Sequence, residues 1–201
     1  MSRRGLHVLG CAIVQRVSVV GNSGSGKSTL ARRLAAILGA TRLELDSVFH
    51  QRGWEPLPAD EFRRVVAAVA AQDRWVIDGN YSAVRPIVWA RADTVVWLDL
   101  PRRTVMRQVV WRTLRRGVTR QELWNGNRES LRNFLTWTPE ESIISWAWHN
   151  HAKYHGRYAA AAADPAYAHL TIVRLTSRRA ITRFLAESAA SAPPLAPSDL
   201  S

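Results

Sequence analysis

Short apolar runs alternate along the chain with stretches of helical period. The runs are residues 16–20, 41–46, 75–78, 94–99 and 170–175. Each is too short for a buried helix and rich in Val, Ile, Leu or Trp, which predicts strands covered on both faces. After the first run, Leu30, Leu34 and Leu38 recur at helical spacing and Gly39 fits a helix stop. Residues 58–72 predict a second helix, with Phe62, Val65, Val66 and Val69 on one stripe and Asp60 and Glu61 near its positive end. Residues 102–116 predict a basic helix closed by Gly117. Thr119, Arg120, Gln121 and Glu122 form a capping-box pattern that opens a short helix ending near Asn125 and Gly126. Thr138, Pro139, Glu140 and Glu141 open another, which runs to about Ala163. Residues 177–187 predict the last helix, with Ile181, Phe184 and Leu185 inward. Residues 51–59, with Gly53, Pro56 and Pro58, read as a loop, and residues 188–201 as a disordered tail rich in Ala, Ser and Pro. Alternating strands and helices predict an α/β fold: one five-stranded parallel sheet with helices on both faces and a ligand crevice at the carboxyl ends of the strands.

Composition narrows this picture. A chain of 201 residues is enough for one domain with a substantial core. Cys11 is the single cysteine, so no internal disulfide and no cysteine zinc site can form within one chain, which fits a cytoplasmic setting. No apolar run approaches a membrane span. Arg3 and Arg4 before an apolar stretch, with Cys11 behind it, faintly resemble a secretion signal; residues 1–14 read instead as an extension ahead of the first strand, or as a start codon placed upstream. The formal charge is +12, carried almost wholly by arginine, since Lys27 and Lys153 are the only lysines. Three explanations stand open: a surface that binds nucleic acid through its phosphates, arginines converging on a phosphorylated ligand, or the codon bias of a GC-rich genome.

The strongest local signal is Gly21-Asn22-Ser23-Gly24-Ser25-Gly26-Lys27-Ser28-Thr29, an ungapped G-x-x-x-x-G-K-[ST] between a predicted strand and a predicted helix. Glycines let backbone N–H groups face phosphate oxygens, and the helix start adds its positive dipole end. Lys27 is placed to reach the β- and γ-phosphates of ATP and Ser28 to ligate Mg2+. Such a loop requires an acid at the end of a neighbouring strand. Asp78 and Asp99 both follow apolar runs; Asp78 is preferred, because Gly79 and Asn80 leave room for a ligand whereas Pro101 suggests an ordinary strand exit. Asp46 also ends a run and reads as an acceptor-binding group or base, or else as a turn aspartate. Arg112 and Arg116 share a helix face, with Arg115 and Arg120 close by; a lid over about 112–138 carrying Arg112, Arg116 and Arg120 would cover a transferring phosphoryl group, against the reading of a solvated basic helix. His149, His151 and His155 have helical spacing but no convincing further ligand, so they read as a polar helix face rather than a metal site. Trp75 and Trp97 read as core, and Trp54 as a stacking residue or loop packing.

Several segments carry a resemblance. The glycine loop, Leu45-Asp46, Gly53-Trp54, Glu61-Phe62, Trp75-Val76-Ile77-Asp78-Gly79-Asn80-Tyr81 and Ala92-Asp93-Thr94-Val95-Val96-Trp97-Leu98-Asp99-Leu100-Pro101 resemble adenylate-kinase-related proteins often labelled DNA topology modulation proteins. The likeness covers about residues 16–187. It implies a nucleoside-monophosphate-kinase-like fold with strand order 2-3-1-4-5, a small helical lid, and Asp78 in the place of the acid of a D-G-x-P-R segment. Asp78-Gly79-Asn80-Tyr81 lacks that segment's arginine, for which Arg85 is a candidate substitute, and the lid lacks a cysteine cluster. It further implies adenine near Thr176, Ser177 and Arg178. The expectation is a P-loop kinase-like domain over 15–187 that uses ATP and Mg2+, with Lys27, Asp46, Asp78, Arg112, Arg116 and Arg120 at the chemistry and a small-molecule acceptor as partner. The rival is a nucleotide-dependent regulator that binds nucleic acid.

Overall fold

The computed structural model describes residues 14–119, 122–127 and 143–192. Five parallel strands form one sheet in the order β2-β3-β1-β4-β5: β1 (Arg16–Gly21), β2 (Thr41–Glu44), β3 (Trp75–Asp78), β4 (Thr94–Leu98) and β5 (Thr171–Leu175). The helices are α1 (Lys27–Leu38), α2 (Leu45–Phe49), α3 (Ala59–Ala70), α4 (Arg85–Arg91), α5 (Arg102–Thr119), α6 (Ile143–Ala163) and α7 (Arg178–Ser191). The architecture and strand order are those expected from the sequence.

The two faces of the sheet follow the period-2 rule of strand side chains. Val17, Val19, Val76, Val96 and Leu98 meet α1 and α7 through Leu30, Leu34, Phe184 and Leu185. Val20, Trp75, Ile77, Val95 and Trp97 meet α3, α4 and α6 through Phe62, Val66, Trp89 and Tyr158. Trp75 and Trp97 are buried as expected. The buried Trp89 indole needs a polar partner and donates to the Ser18 hydroxyl at 3.2 Å. A smaller cluster of Leu100, Val105, Val109 and Ala147 joins α5 to α6.

Four local expectations change. The second strand stops at Glu44, two residues early, because Leu45 turns into the core and starts α2. Helix α5 does not close at Gly117 but continues to Thr119, whose hydroxyl donates to the Arg115 carbonyl four residues back at 2.8 Å instead of capping a new helix. A 3-10 turn over Trp124–Gly126 stands where a short helix was expected. Helix α7 passes residue 187 and reaches Ser191, since Ser188 is buried and bonds to the Phe184 carbonyl at 2.8 Å. Arg120, Gln121, residues 128–138 of the expected lid, residues 139–142 at the start of the helix expected after it, most of the 1–14 extension and residues 193–201 lie outside the described residues.

Candidate active site

The central strand β1 delivers the glycine loop to the carboxyl edge of the sheet, and α1 starts at Lys27 directly behind it. Asn22 organises the loop. Its Oδ1 accepts from the Ser23 N–H at 2.8 Å, its carbonyl accepts from the Ser25 N–H at 3.2 Å, and its Nδ2 donates to the Ala147 carbonyl of α6 at 2.8 Å. The Lys27 ammonium folds back onto the same loop and donates to the Asn22 carbonyl at 2.9 Å. Burial lowers the Lys27 pKa, against the raising effect of Asp46 and Asp78; Arg112 lowers it further and Glu44 opposes. Arg112 reaches the loop from α5, its Nη2 donating to the Ser23 hydroxyl at 3.3 Å. The loop therefore holds two cations against an anion-binding backbone, with Gly24, Gly26 and Thr29 completing the segment.

Both β3 and β4 pair with β1, so adjacency to the loop strand does not separate Asp78 from Asp99. Their surroundings do. Asp99 is engaged by Arg174 at 2.8 Å and by His155 at 3.0 Å. Asp78 is 2% exposed, and its Oδ1 has no hydrogen bond and lies 3.8 Å from Arg42. Glu44 is paired in register with Asp78 and accepts from the Ser28 hydroxyl at 2.7 Å and from Arg42 at 2.7 Å. Burial pushes the Asp78 carboxyl up to about 6; Ser28 lowers it, the Glu44 charge raises it, and Arg42 and Lys27 lower it. Two carboxylates converging on one serine, with a buried oxygen lacking a partner, fit a hard cation that keeps several waters. Ser28, Asp78 and Glu44 can hold Mg2+. Sequence reasoning missed Glu44: it read the run through to Asp46 and credited the acid to the later position.

Asp46 lies in the first turn of α2, not at a strand end. Its Oδ1 accepts from the Tyr81 hydroxyl at 2.8 Å, and His50 Nε2 is 3.4 Å from the same hydroxyl. Burial, and then the Asp46 charge, raise the Tyr81 pKa strongly, so Tyr81 remains a donor. Phe49 and Phe62 pack around Tyr81 with ring centroids 4.7 Å and 5.3 Å away. Trp54 is 40% exposed and meets the edge of His50 at 5.4 Å. The segment after α5 is clasped onto this region: Asn125 donates to the His50 carbonyl at 2.6 Å and Asn127 to the Gln51 carbonyl at 2.8 Å. Arg85, at the start of α4, lines a small cleft with Asn80, Tyr81 and Tyr158; it stands 5.8 Å from the Trp89 ring and forms no ion pair among the described residues.

Arg116 lies one turn beyond Arg112 on α5 and is half-buried, while Arg120 is outside the described residues. His151 and His155 are spent on the Leu100 carbonyl, at 3.0 Å, and on Asp99. Among the described residues no group of three or more His, Cys, Asp or Glu can hold a metal, and no helix is long and apolar enough to cross a membrane.

A family model described as an AAA domain matches residues 17–133, more than half of the chain. Shikimate kinase 2, chloroplastic, of Oryza sativa subsp. japonica is 29% identical over 108 residues, which cover 46% of this chain and 35% of that protein. The chain thus spans about a third of the length of this curated relative. A shikimate kinase from Acinetobacter baumannii, solved in complex with shikimate, superposes with a TM-score of 0.51 at 16% identity, covering 87% of this chain and 90% of that one. A gluconokinase from Sinorhizobium meliloti 1021 gives 0.50 at 15% identity, covering 89% and 91%. At these identities the two structures establish the shared fold: a five-stranded parallel sheet with flanking helices.

Proposed function

This chain belongs to the AAA domain family, and from that premise we propose that it is a Mg2+-dependent kinase that transfers the γ-phosphoryl group of ATP to a hydroxyl of a small acceptor. The observation that carries this reading is the convergence of Lys27, Arg112, Ser28, Glu44 and Asp78 on one glycine loop, with Asp46 within electrostatic reach of Lys27. The loop backbone and Lys27 bind the phosphates, and Arg112 offers its guanidinium to charge that spreads onto the transferring group. Mg2+, held by Ser28 with Asp78 and Glu44, would neutralise phosphate charge. Asp46 orients the acceptor hydroxyl and takes its proton as the new P–O bond forms and the bond to the ADP oxygen breaks. Tyr81 fixes one Asp46 oxygen and leaves the other for the acceptor.

The charges that act on Tyr154, from Asp46, Arg85 and Arg157, support a reading of the acceptor class. Arg85 and Arg157 both act electrostatically on Tyr154 and Tyr158, Arg157 stacks 5.5 Å from the Tyr154 ring, and neither arginine has an ion-pair partner among the described residues. A hydroxylated metabolite or nucleotide with its own anionic group satisfies both arginines and Asp46. The activities for which the similar proteins are named, shikimate kinase and gluconokinase, favour a small metabolite. The likeness to adenylate-kinase-related proteins of the DNA topology modulation label agrees with a kinase-like site but does not select the acceptor. Nothing in the arrangement of the loop arginines favours the nucleic-acid regulator, because Arg42 and Arg112 face the glycine loop and its acids. The test is incubation of pure protein with Mg2+, γ-labelled ATP and a panel of nucleosides, nucleotides, sugars and hydroxy acids. A labelled acceptor, lost in Asp46→Asn, is the expected outcome. Binding of ATP with no acceptor labelled across the panel refutes the kinase reading.

A further inference from the structure

The β1–β3 ladder ends at Val19 and Asp78, and the Gly79 N–H makes the last main-chain bond, to the Val19 carbonyl at 3.2 Å. Beyond that point a side chain continues the pairing. The Asn80 carboxamide donates through Nδ2 to the Gly21 carbonyl at 2.6 Å and accepts through Oδ1 from the Gly21 N–H at 3.2 Å. It imitates a peptide unit, and a planar amide that both donates and accepts is what Asn offers and Asp does not. Gly21 is the first residue of the glycine loop and has φ 144; a Cβ there would stand 2.6 Å from the Leu98 carbonyl oxygen. Its backbone is thus pinned from β4 on one side and from Asn80 on the other.

Asn80 is itself held by α6. The Tyr158 hydroxyl donates to Asn80 Oδ1 at 2.8 Å. Tyr154, one turn earlier, stacks on Tyr158 with centroids 6.0 Å apart and rings 11° from parallel. Burial raises the pKa of both phenols, which remain neutral. The Gly21 N–H and C=O together set which way the amide faces, and the Tyr158 hydroxyl adds a second donor on Asn80 Oδ1 that holds it in place. The same helix holds the next loop residue, through the bond from Asn22 to the Ala147 carbonyl.

We propose that Asn80 is a positioning residue for triphosphate binding, which fixes the entry of the glycine loop through Gly21, and that Tyr158 holds the Asn80 carboxamide in place against Gly21. The inference rests on the reading of the loop as a triphosphate site and adds residues that lie outside the glycine loop. It assigns a role to the Asn of the Asp78-Gly79-Asn80-Tyr81 segment and to an α6 tyrosine 78 positions away.

Tyr158→Phe keeps the ring and its packing and removes only the hydroxyl; Asn80→Ala and Asn80→Asp remove the amide and its donor. Inorganic tripolyphosphate with Mg2+ is the probe, titrated calorimetrically, with urea unfolding of the free protein and glycine-selective 15N spectra beside it. The expected loss of affinity is about 3–10-fold for Tyr158→Phe, the size of one neutral hydrogen bond, and larger for both Asn80 variants. The Tyr158→Phe urea midpoint stays at the wild-type value, while its Gly21 amide resonance shifts and those of Gly39 and Gly53 do not. Wild-type affinity with an unmoved Gly21 resonance in Tyr158→Phe overturns the proposal, as does a loss of affinity that simply tracks a lower urea midpoint. A wild-type protein that binds no tripolyphosphate removes the triphosphate reading and this proposal together, whereas binding that is equal in wild type and variants removes this proposal alone.

Discussion

Replacing Asp78 by Asn should make the metal-free protein more stable at neutral pH while depriving it of its response to Mg2+ and ATP. The carboxyl is 2% exposed, one of its oxygens has no hydrogen bond, and Glu44 stands in register beside it. Its pKa rises from 3.8 to about 6. For an acid this sign means that the folded state binds the proton more tightly than the unfolded chain. Stability from this group is therefore full below pH 4, falls as the pH climbs to about 6, and is flat above that. A shift of roughly two units corresponds to about 3 kcal/mol. The carboxamide of Asp78→Asn carries no charge to bury, so the variant should gain up to that amount at pH 7.5, about 6–12 °C in melting temperature for a domain of this size. Near pH 4 the gap should close. The assay is urea unfolding of both proteins in chelator between pH 4 and 8. With Mg2+ and ATP at about 100 times the dissociation constant, wild type should recover about 2.7 kcal/mol and the variant little of it. A variant less stable than wild type at pH 7.5 in chelator, or a gap that widens on acidification, refutes the reasoning.

Three further outcomes are expected. Lys27→Ala should weaken a non-hydrolysable ATP analogue by about 1.5–3 kcal/mol, the size of a charge-assisted contact, measured by calorimetric titration. Glu44→Gln should impair Mg2+-dependent turnover far more than Asp99→Asn, because Glu44 bonds to Ser28 while Asp99 is occupied by Arg174 and His155; parallel rate measurements over a range of Mg2+ concentrations decide it. Truncation after Glu187 should lower the melting temperature by several degrees, since it removes the last turn of α7 and the buried Ser188; an unchanged thermal scan contradicts the packing of that turn.

The sheet and the loop were legible because their signals are local. Four of the five strands are short runs dominated by apolar residues, β2 alternates, and the glycine loop is a contiguous motif, so period and order suffice. Helix α4 escaped because residues 85–91 are only two turns with Pro86 in the first, and their apolar Ile87, Val88, Trp89 and Ala90 are consecutive and show no helical period. The acids show the limit more sharply. In Thr41-Arg42-Leu43-Glu44-Leu45-Asp46 the alternation gives Glu44 and Asp46 equal standing. The chain leaves the sheet between them because Leu45 packs against Gly79, a contact across 34 positions that no window around residue 45 contains. That turn sends Glu44 to Ser28 and Asp46 to Tyr81, and so divides one acidic pair between two tasks. Asn80 and Tyr158 were beyond reach for the same reason: an amide that imitates a backbone is recognisable only once the backbone it imitates is in view.

The division of the acids also bears on how the free site is poised. Glu44 and Asp78 face each other at adjacent strand ends, and Arg42 and the Ser28 hydroxyl satisfy Glu44 better than Asp78. The deficit is concentrated on one buried oxygen of Asp78, beside the helix start that follows the glycine loop. At the loop itself, burial lowers the Lys27 pKa and the Arg112 charge adds to this against the pull of Asp46 and Asp78, so the ammonium is held there at a cost. A cation relieves the first deficit and a polyphosphate the second, and each makes the other easier to hold, because the ion's charge offsets the phosphates and the phosphates offset the ion's desolvation. Mg2+ and ATP should therefore bind as a unit more tightly than the product of their separate affinities. The coupling should be reciprocal, and it should shrink in Asp78→Asn, where the unpartnered carboxylate oxygen is gone. Calorimetric titration of the ATP analogue with and without Mg2+, in wild type and in Asp78→Asn, measures it; equal ratios in the two proteins would place the coupling elsewhere than in this carboxylate.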